Sequence, residues 1–433
     1  MQSLSVKGVV SLVLFLLVFC VVSLPEGFGA HRVFPHKTPI GHILELMFIG
    51  FLILFICYLF LKHGAPHHVS LFAYVIVLYS LIFVIYGVAA LMMSSQDITN
   101  IVNDVRVVPW MFSYVFGAVL INKEQDFIKL FNVFVSAIFL HVLITVYLGV
   151  FDENSVAEIN KETFISGSKR VWFRNSGLYF LLVAWTVIML LSQDVKPYKK
   201  LVLFLVLFLT ALSVMFTQSR MLIGLLLLML AFLVFFSRTS NVFTKAFFLM
   251  LLSIFAVILV SFLEPTYIDV MLNRFMYAIS FEDNSILTRL YTYRETVSAG
   301  MDYPVFGHGV GTGIMTSHPY VTAGDKEFHF VDNAFVSIFY KMGLIGIVLL
   351  SFLCFSYYKA VSRLKMIHMS PRFSVIISSL LFSLFFVFIY SFITGAFFLY
   401  TRSIVMVYFV ILGAATSCVR ANMKNNNINR ALF

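Results

Sequence analysis

Five groups of arginine interrupt an otherwise apolar 433-residue chain, each placed where a fixed cation could hold an anion. Arg220 lies in Thr217-Gln218-Ser219-Arg220-Met221, a barely polar joint between two strongly apolar runs. Two readings stay open for it: an anion-binding arginine facing the protein interior, or a side chain snorkelling to lipid phosphate. Arg289 and Arg294 lie in Leu287-Thr288-Arg289-Leu290-Tyr291-Thr292-Tyr293-Arg294-Glu295, where helical spacing sets Arg289 beside Tyr293. A guanidinium fork grips phosphate oxygens in two-pronged fashion, which an ammonium does not. The plainer alternative for this pair is a solvated helix face with an internal pair to Glu295. Arg170 and Arg174 flank Trp172 and serve either as a second basic cluster or as an interfacial anchor. Arg402, in Tyr400-Thr401-Arg402-Ser403, and Arg106, in Asp104-Val105-Arg106, complete the set; the acid beside Arg106 suggests a local pair.

One carboxylate stands out beside these cations. Asp332 opens Asp332-Asn333-Ala334-Phe335, at the start of a long apolar run, where it would either cap the free helix amides or act in catalysis. Upstream, Phe306-Gly307-His308-Gly309-Val310-Gly311-Thr312-Gly313 has the spacing of a phosphate-binding glycine loop. It follows no predicted strand, so it is expected to form a tight outer turn with its backbone amides exposed. His308, His318 and His329 stand ten and eleven residues apart, which matches no common ligand pattern, so no metal or other cofactor is expected. Lys341, inside the apolar run, is costly unless it pairs or snorkels. Gly343 and Gly346, three residues apart, suit close helix packing.

The elements that must position these residues are membrane helices. The composition is 61% hydrophobic and only 12% charged, with a mean hydropathy of +0.97. Apolar runs of helix-spanning length alternate with short polar breaks, and none shows the strict alternation of a lipid-facing barrel. Backbone groups in hydrocarbon must satisfy one another, which leaves helices. The fold class expected is all-α, a polytopic membrane protein with twelve spans near 8–24, 43–62, 70–92, 107–121, 127–151, 176–192, 200–218, 221–237, 245–263, 333–357, 373–393 and 398–418. This divides the chain into helices over 1–263, a large periplasmic loop over 264–331, three further helices over 332–418 and a cytoplasmic tail over 419–433, expected to be disordered after Arg420.

Short loops give the orientation. With the amino terminus cytoplasmic, the inner loops hold Lys62, Lys123, Lys129, Lys196, Lys199, Lys200, Arg238, Lys245, Lys359, Arg363, Lys365, Arg372, Arg420, Lys424 and Arg430. The acids Asp152, Glu153, Glu158 and Glu162 and the acids from Glu264 to Asp325 fall in outer loops, so both termini are expected inside. The formal charge of +10 then reflects loops facing anionic lipid and needs no nucleic acid. The first apolar stretch is too long for a secretory signal core and is expected to be retained. Cys20, Cys57, Cys354 and Cys418 all fall within spans and suggest no disulfide framework.

Asp332-Asn333-Ala334-Phe335-Val336 followed by Gly343-Leu344-Ile345-Gly346 resembles the signature of the O-antigen polymerase and O-antigen ligase superfamily. Thr217-Gln218-Ser219-Arg220 resembles its Ser/Thr-Arg joint, Arg289 with Gly300 its Arg-x10-Gly spacing, and Pro304-Val305-Phe306-Gly307-His308-Gly309 its P-x-x-G-x-G segment. The likeness covers about 200 to 350. Ligases of this superfamily usually carry histidine where this chain has Asp332, with His329 three residues earlier, while polymerases often have Asp-Asn. The departure tilts toward a polymerase.

The resemblance implies a metal-independent glycosyltransferase of the bacterial inner membrane, acting on its periplasmic side. The donor would be a glycan on undecaprenyl diphosphate and the acceptor a second lipid-linked repeat unit, with a chain-length regulator and a flippase as pathway partners. Arg220, Arg289, Arg294, Arg174 and Arg402 would bind the diphosphate, Asp332 or His329 would act as base, and Asn333, Gly343 and Gly346 would form the motif around them. The first alternative is a ligase passing polymer to lipid A-core. A multi-span transporter of an anion is the rival from another class, although no matched pair of Gly/Pro-interrupted spans points to a transport site.

Overall fold

A computed structural model describes residues 71–92, 98–105, 108–151, 174–192, 195–217, 219–236, 276, 284–316, 326–328, 331, 333–367, 369–394 and 402–425. The expected spans 8–24, 43–62 and 245–263 lie outside the described residues, as do Arg106, Arg170, His318, His329 and Asp332.

The described chain is helical apart from one small ribbon. In order it forms α1 (Leu71–Met92), α2 (Ile98–Val105), α3 (Val108–Met111), α4 (Ser113–Leu120), α5 (Glu124–Phe151), a 3-10 turn (Arg174–Leu178), α6 (Tyr179–Leu191), α7 (Pro197–Thr217) and α8 (Arg220–Phe236). Then follow α9 (Asn284–Gly300), strands β1 (Ile314–Thr316) and β2 (Lys326–Phe328), α10 (Ala334–Lys365), α11 (Pro371–Thr394) and α12 (Arg402–Asn425). Six of these helices are long and apolar enough to cross a membrane, and three shorter apolar segments accompany them.

Three expectations need correction. The span expected at 107–121 is two short helices, because the turn around Pro109 hands over at Phe112 to a fresh helix start. The tail expected from 419 begins as helix, since α12 continues through Arg420 to Asn425. The large loop, given no strands, carries an antiparallel ribbon with Ile314 paired to Phe328 and Thr316 to Lys326.

Packing explains the arrangement. Among the described residues α12 is almost wholly enclosed, and α4 runs tightly beside it. A Cβ on Gly117 would strike the backbone at Val410, and one on Gly413 the backbone at Tyr114. Small residues are what permit helix backbones to meet inside a bilayer, where no hydrophobic force drives them together. Ser113 donates to the Met406 carbonyl at 3.3 Å and Tyr357 to the Tyr408 carbonyl at 2.6 Å, which ties α4 and α10 to the same central helix. Outer faces stay apolar: on α1, Tyr74, Leu81, Ile85 and Val88 form an exposed stripe suited to lipid.

Contacts between helix ends fix which termini lie together. Tyr179, the first residue of α6, exchanges hydrogen bonds with Thr145 near the end of α5 at 3.1 Å and Ser213 near the end of α7 at 2.8 Å. Gly149 also lies against Phe216. The end of α5, the start of α6, the end of α7 and the start of α8 therefore share one end of the bundle. At the opposite end Ser370 bonds Glu124, and Asn422 reaches the Met369 sulfur at 2.9 Å. The starts of α5 and α11 and the end of α12 meet there, which returns the starts of α10 and α12 to the first end. Lys123, Lys196, Lys199, Lys200, Arg363, Lys365, Arg372 and Arg420 all fall at or near the second end.

Candidate functional site

The first end of the bundle collects the arginine-bearing segments. Arg174 opens the 3-10 turn leading into α6, Arg220 opens α8 and Arg402 opens α12. Ser219 holds the joint before Arg220: its Oγ accepts from the Leu222 amide at 3.4 Å, and its own amide donates to Thr217 Oγ1 at 3.2 Å. These small hydroxyl residues close the turn between α7 and α8 with local bonds, so the reversal needs no long loop. Arg220 is half-buried and engaged with other groups of the protein.

Residues Asn284–Gly300 form a full helix, α9, that packs along the first turns of α10. Gly300 makes the close approach, since a Cβ there would meet the Phe339 ring. Tyr293 and Ala299 pack with Val331, Val336 and Tyr340. Gly300 thus lies level with Phe339 and Tyr340. Arg289 is half-buried, whereas Arg294 is exposed. The internal pair foreseen with Glu295 does not form: Glu295 Oε2 is buried with no hydrogen-bond partner among the described residues.

The start of α10 is capped by Asn333. Asn333 has extended backbone angles, and its side-chain oxygen accepts from the amides of Phe335 at 2.9 Å and Val336 at 3.1 Å. That is ordinary N-cap geometry, and it assigns the capping role to the second residue of the pair. Ser337 reinforces the entry by exchanging bonds with the Val331 backbone.

The glycine-rich turn docks onto a break in α10. Gly343 adopts φ 61°, ψ −153°, a conformation open to glycine, and it interrupts the helix. The backbone groups this frees are taken up by the turn. His308 and Gly309 amides donate to the Tyr340 and Lys341 carbonyls at 2.8 and 2.9 Å. In return the amides of Leu344 and Ile345 donate to Pro304 and Val305 at 2.8 and 3.3 Å. Gly307, also at positive φ, sits where any Cβ would collide with the Lys341–Gly343 backbone. Irregular backbone within a span is tolerated where protein supplies the missing partners, and here the turn supplies them. The expectation of exposed amides is thereby overturned: Gly307, His308, Gly309 and Gly311 all spend their amides on protein acceptors.

A buried ion pair locks this junction. Lys341 Nζ lies 2.5 Å from Asp104 Oδ2, and both side chains are 4% exposed. The same oxygen accepts from the Gly311 amide at 2.7 Å, joining α2, the glycine turn and α10 through one carboxylate. The sequence had set Asp104 against its neighbour Arg106, which lies outside the described residues; among the described residues the carboxylate holds Lys341 and Gly311. His308 completes the junction. Its Nε2–H donates to the Ala299 carbonyl at 2.8 Å, and its ring stacks on Tyr340 at 4.5 Å and meets Tyr303 edge-on at 5.0 Å. Gly346 is buried beneath Ile338 and Met342, so of the two glycines it is Gly343 that touches another segment.

The arrangement therefore brings the segments that carry Arg174, Arg220, Arg289, Arg294 and Arg402, with the Asn333 start of α10, to one end of an apolar bundle beside this junction. Residues 205–351, about a third of the chain, match the family model described as O-antigen ligase. The matched stretch contains Arg220, Arg289, Arg294, Asp332, Asn333, Lys341 and both motif glycines, and excludes Asp104, Arg174 and Arg402. No curated protein matches the chain. The domain at 205–351 is thus similar to the O-antigen ligase family, which supports the resemblance to the O-antigen polymerase and ligase superfamily.

Proposed function

We propose that the protein is a polysaccharide polymerase that moves a glycan from undecaprenyl diphosphate to a second lipid-linked repeat unit on the periplasmic side of the inner membrane. The supporting observation is the convergence at one bundle end of the segments bearing Arg174, Arg220, Arg289, Arg294 and Arg402 with the start of α10. In the proposed step the acceptor hydroxyl gives its proton to Asp332, and its oxygen bonds the anomeric carbon. The bond from that carbon to the diphosphate oxygen breaks, and the electron pair leaves with the carrier. Fixed guanidinium groups oppose the charge that develops on the leaving diphosphate.

The acidic residue before Asn333, where ligases usually carry histidine, favours polymerase over ligase. The test is a deletion strain whose surface glycan is displayed by gel and complemented with variants. Product stalled at a single repeat supports the polymerase; full-length polymer on the carrier but absent from lipid A supports the ligase. Asp332→Asn leaves the Asn333 cap in place and removes the base, so the protein should insert normally with a rate lower by about 10²–10⁴-fold. Arg220→Ala should abolish polymer and Arg220→Lys restore it only in part. Near-normal chain length in Asp332→Asn would dismiss that residue as base and make His329 the next candidate.

A further inference from the structure

Four large apolar side chains crowd the short turn that follows α9. Met301, Tyr303, Val305 and Phe306 are all exposed, Phe306 at 65%. A water-facing turn rarely presents so many together, and contiguous exposed apolar surface marks a site of contact. Its neighbours say what kind. The backbone of Pro304 and Val305 is bonded to Leu344 and Ile345, which sets the turn directly against the break in α10. From Leu344 onward α10 carries an exposed stripe, Leu344, Val348, Phe352 and Phe355, at helical spacing. That stripe is the lipid-facing side of a helix long and apolar enough to span. The apolar turn is thus the upper continuation of a lipid-facing surface.

The height agrees. Gly343 and Arg363 are separated by about 20 residues, which at about 1.5 Å per residue is close to 30 Å of helix, the thickness of a hydrocarbon core. With Arg363 and Lys365 at the polar boundary of one membrane face, the break at Gly343 falls at the other boundary. Asp302, exposed between Met301 and Tyr303, excludes a deep position and suits the headgroup layer, where an aromatic with a polar tip such as Tyr303 also settles.

We propose that the turn Met301–Phe306 is seated in the lipid surface opposite the Arg363 end, with its apolar side chains in the acyl boundary. The partner is bilayer lipid. This does not depend on the reaction; on the reading given above, such a seat would hold the site at the height of lipid diphosphate groups.

The test uses the full chain with its four cysteines replaced, spin-labelled at Phe306→Cys or, separately, Met301→Cys. The protein is reconstituted in phosphatidylethanolamine–phosphatidylglycerol vesicles, and Ser298→Cys on α9 and Leu344→Cys on α10 serve as references. Labels at 301 and 306 should collide with oxygen several-fold more, relative to a water-soluble nickel chelate, than the label at 298, and should approach the value at 344. Nickel access at both positions equal to that at 298 overturns the proposal. So does spin–spin broadening with neither collider reaching the label, which would assign the patch to a second copy. A lipid-seated turn in a strain whose glycan pattern is unchanged by deletion would separate this result from the proposed reaction.

Discussion

Lys341 and Asp104 show how a single pair can govern a junction it does not dominate in size. Each is buried, and the charge of each offsets the cost of burying the other. Lys341→Met leaves the Asp104 carboxylate buried with only the Gly311 amide, and a loss of about 3–5 kcal/mol is expected for such an orphaned charge. Joining Asp104→Leu to Lys341→Met should return much of that loss, because apolar replacement of both partners is often neutral. Thermal denaturation in detergent of the two single variants and the double one measures the coupling; additive losses would show that the pair contributes no mutual stabilisation. The sequence named Lys341 as a residue needing a partner, because a cation in an apolar run is a local signal. It could not name Asp104, which lies 237 positions away and has a nearer arginine. His308 was similarly visible as a residue but not as a ring wedged between two tyrosines, since that depends on how the turn docks.

At the scale of elements, the break in α10 and the glycine turn are one unit. The G-x-x-G spacing was legible and was read as close helix packing, whereas Gly343 meets the glycine turn and not another helix. What the spacing does not reveal is that Gly343 opens the helix rather than merely thinning it. That follows from a backbone angle and from acceptors and donors supplied by another segment. Gly343→Ala should be far more disruptive than Gly224→Ala, although both lie in apolar helices. Position 224 has open space around a new Cβ, whereas position 343 combines positive φ with a collision against Val305. Backbone at positive φ with ψ near −153° is essentially confined to glycine and costs an ordinary residue about 1–3 kcal/mol. The expected result is release of the turn, seen as faster proteolysis between residues 301 and 316 in Gly343→Ala with Gly224→Ala unchanged. Equal resistance in both variants would mean that the turn holds without the break.

For the whole molecule, six of the expected spans coincide with described helices long and apolar enough to cross a membrane, because continuous apolar length is a signal that survives any tertiary arrangement. Relative ends were less legible, since they rest on contacts such as Glu124 with Ser370 and Thr145 with Tyr179. These contacts make a topological prediction that is stricter than a loop-by-loop charge count. Ser298, on α9, and Ser219, before α8, must share one membrane face, and Lys199 must occupy the other. The helix order leaves no room for mixed outcomes, because α7 alone separates Lys199 from Ser219. Cysteines placed singly at 298 and 199 in a cysteine-free chain provide the measurement, using a membrane-impermeant maleimide on intact cells with a permeable outer membrane. Labelling at 298 with protection at 199 is expected, since the basic cluster Lys196, Lys199 and Lys200 should remain cytoplasmic. The reverse pattern would place the arginine-bearing end in the cytoplasm and remove the proposed reaction. Labelling at both positions would refute the bundle arrangement itself.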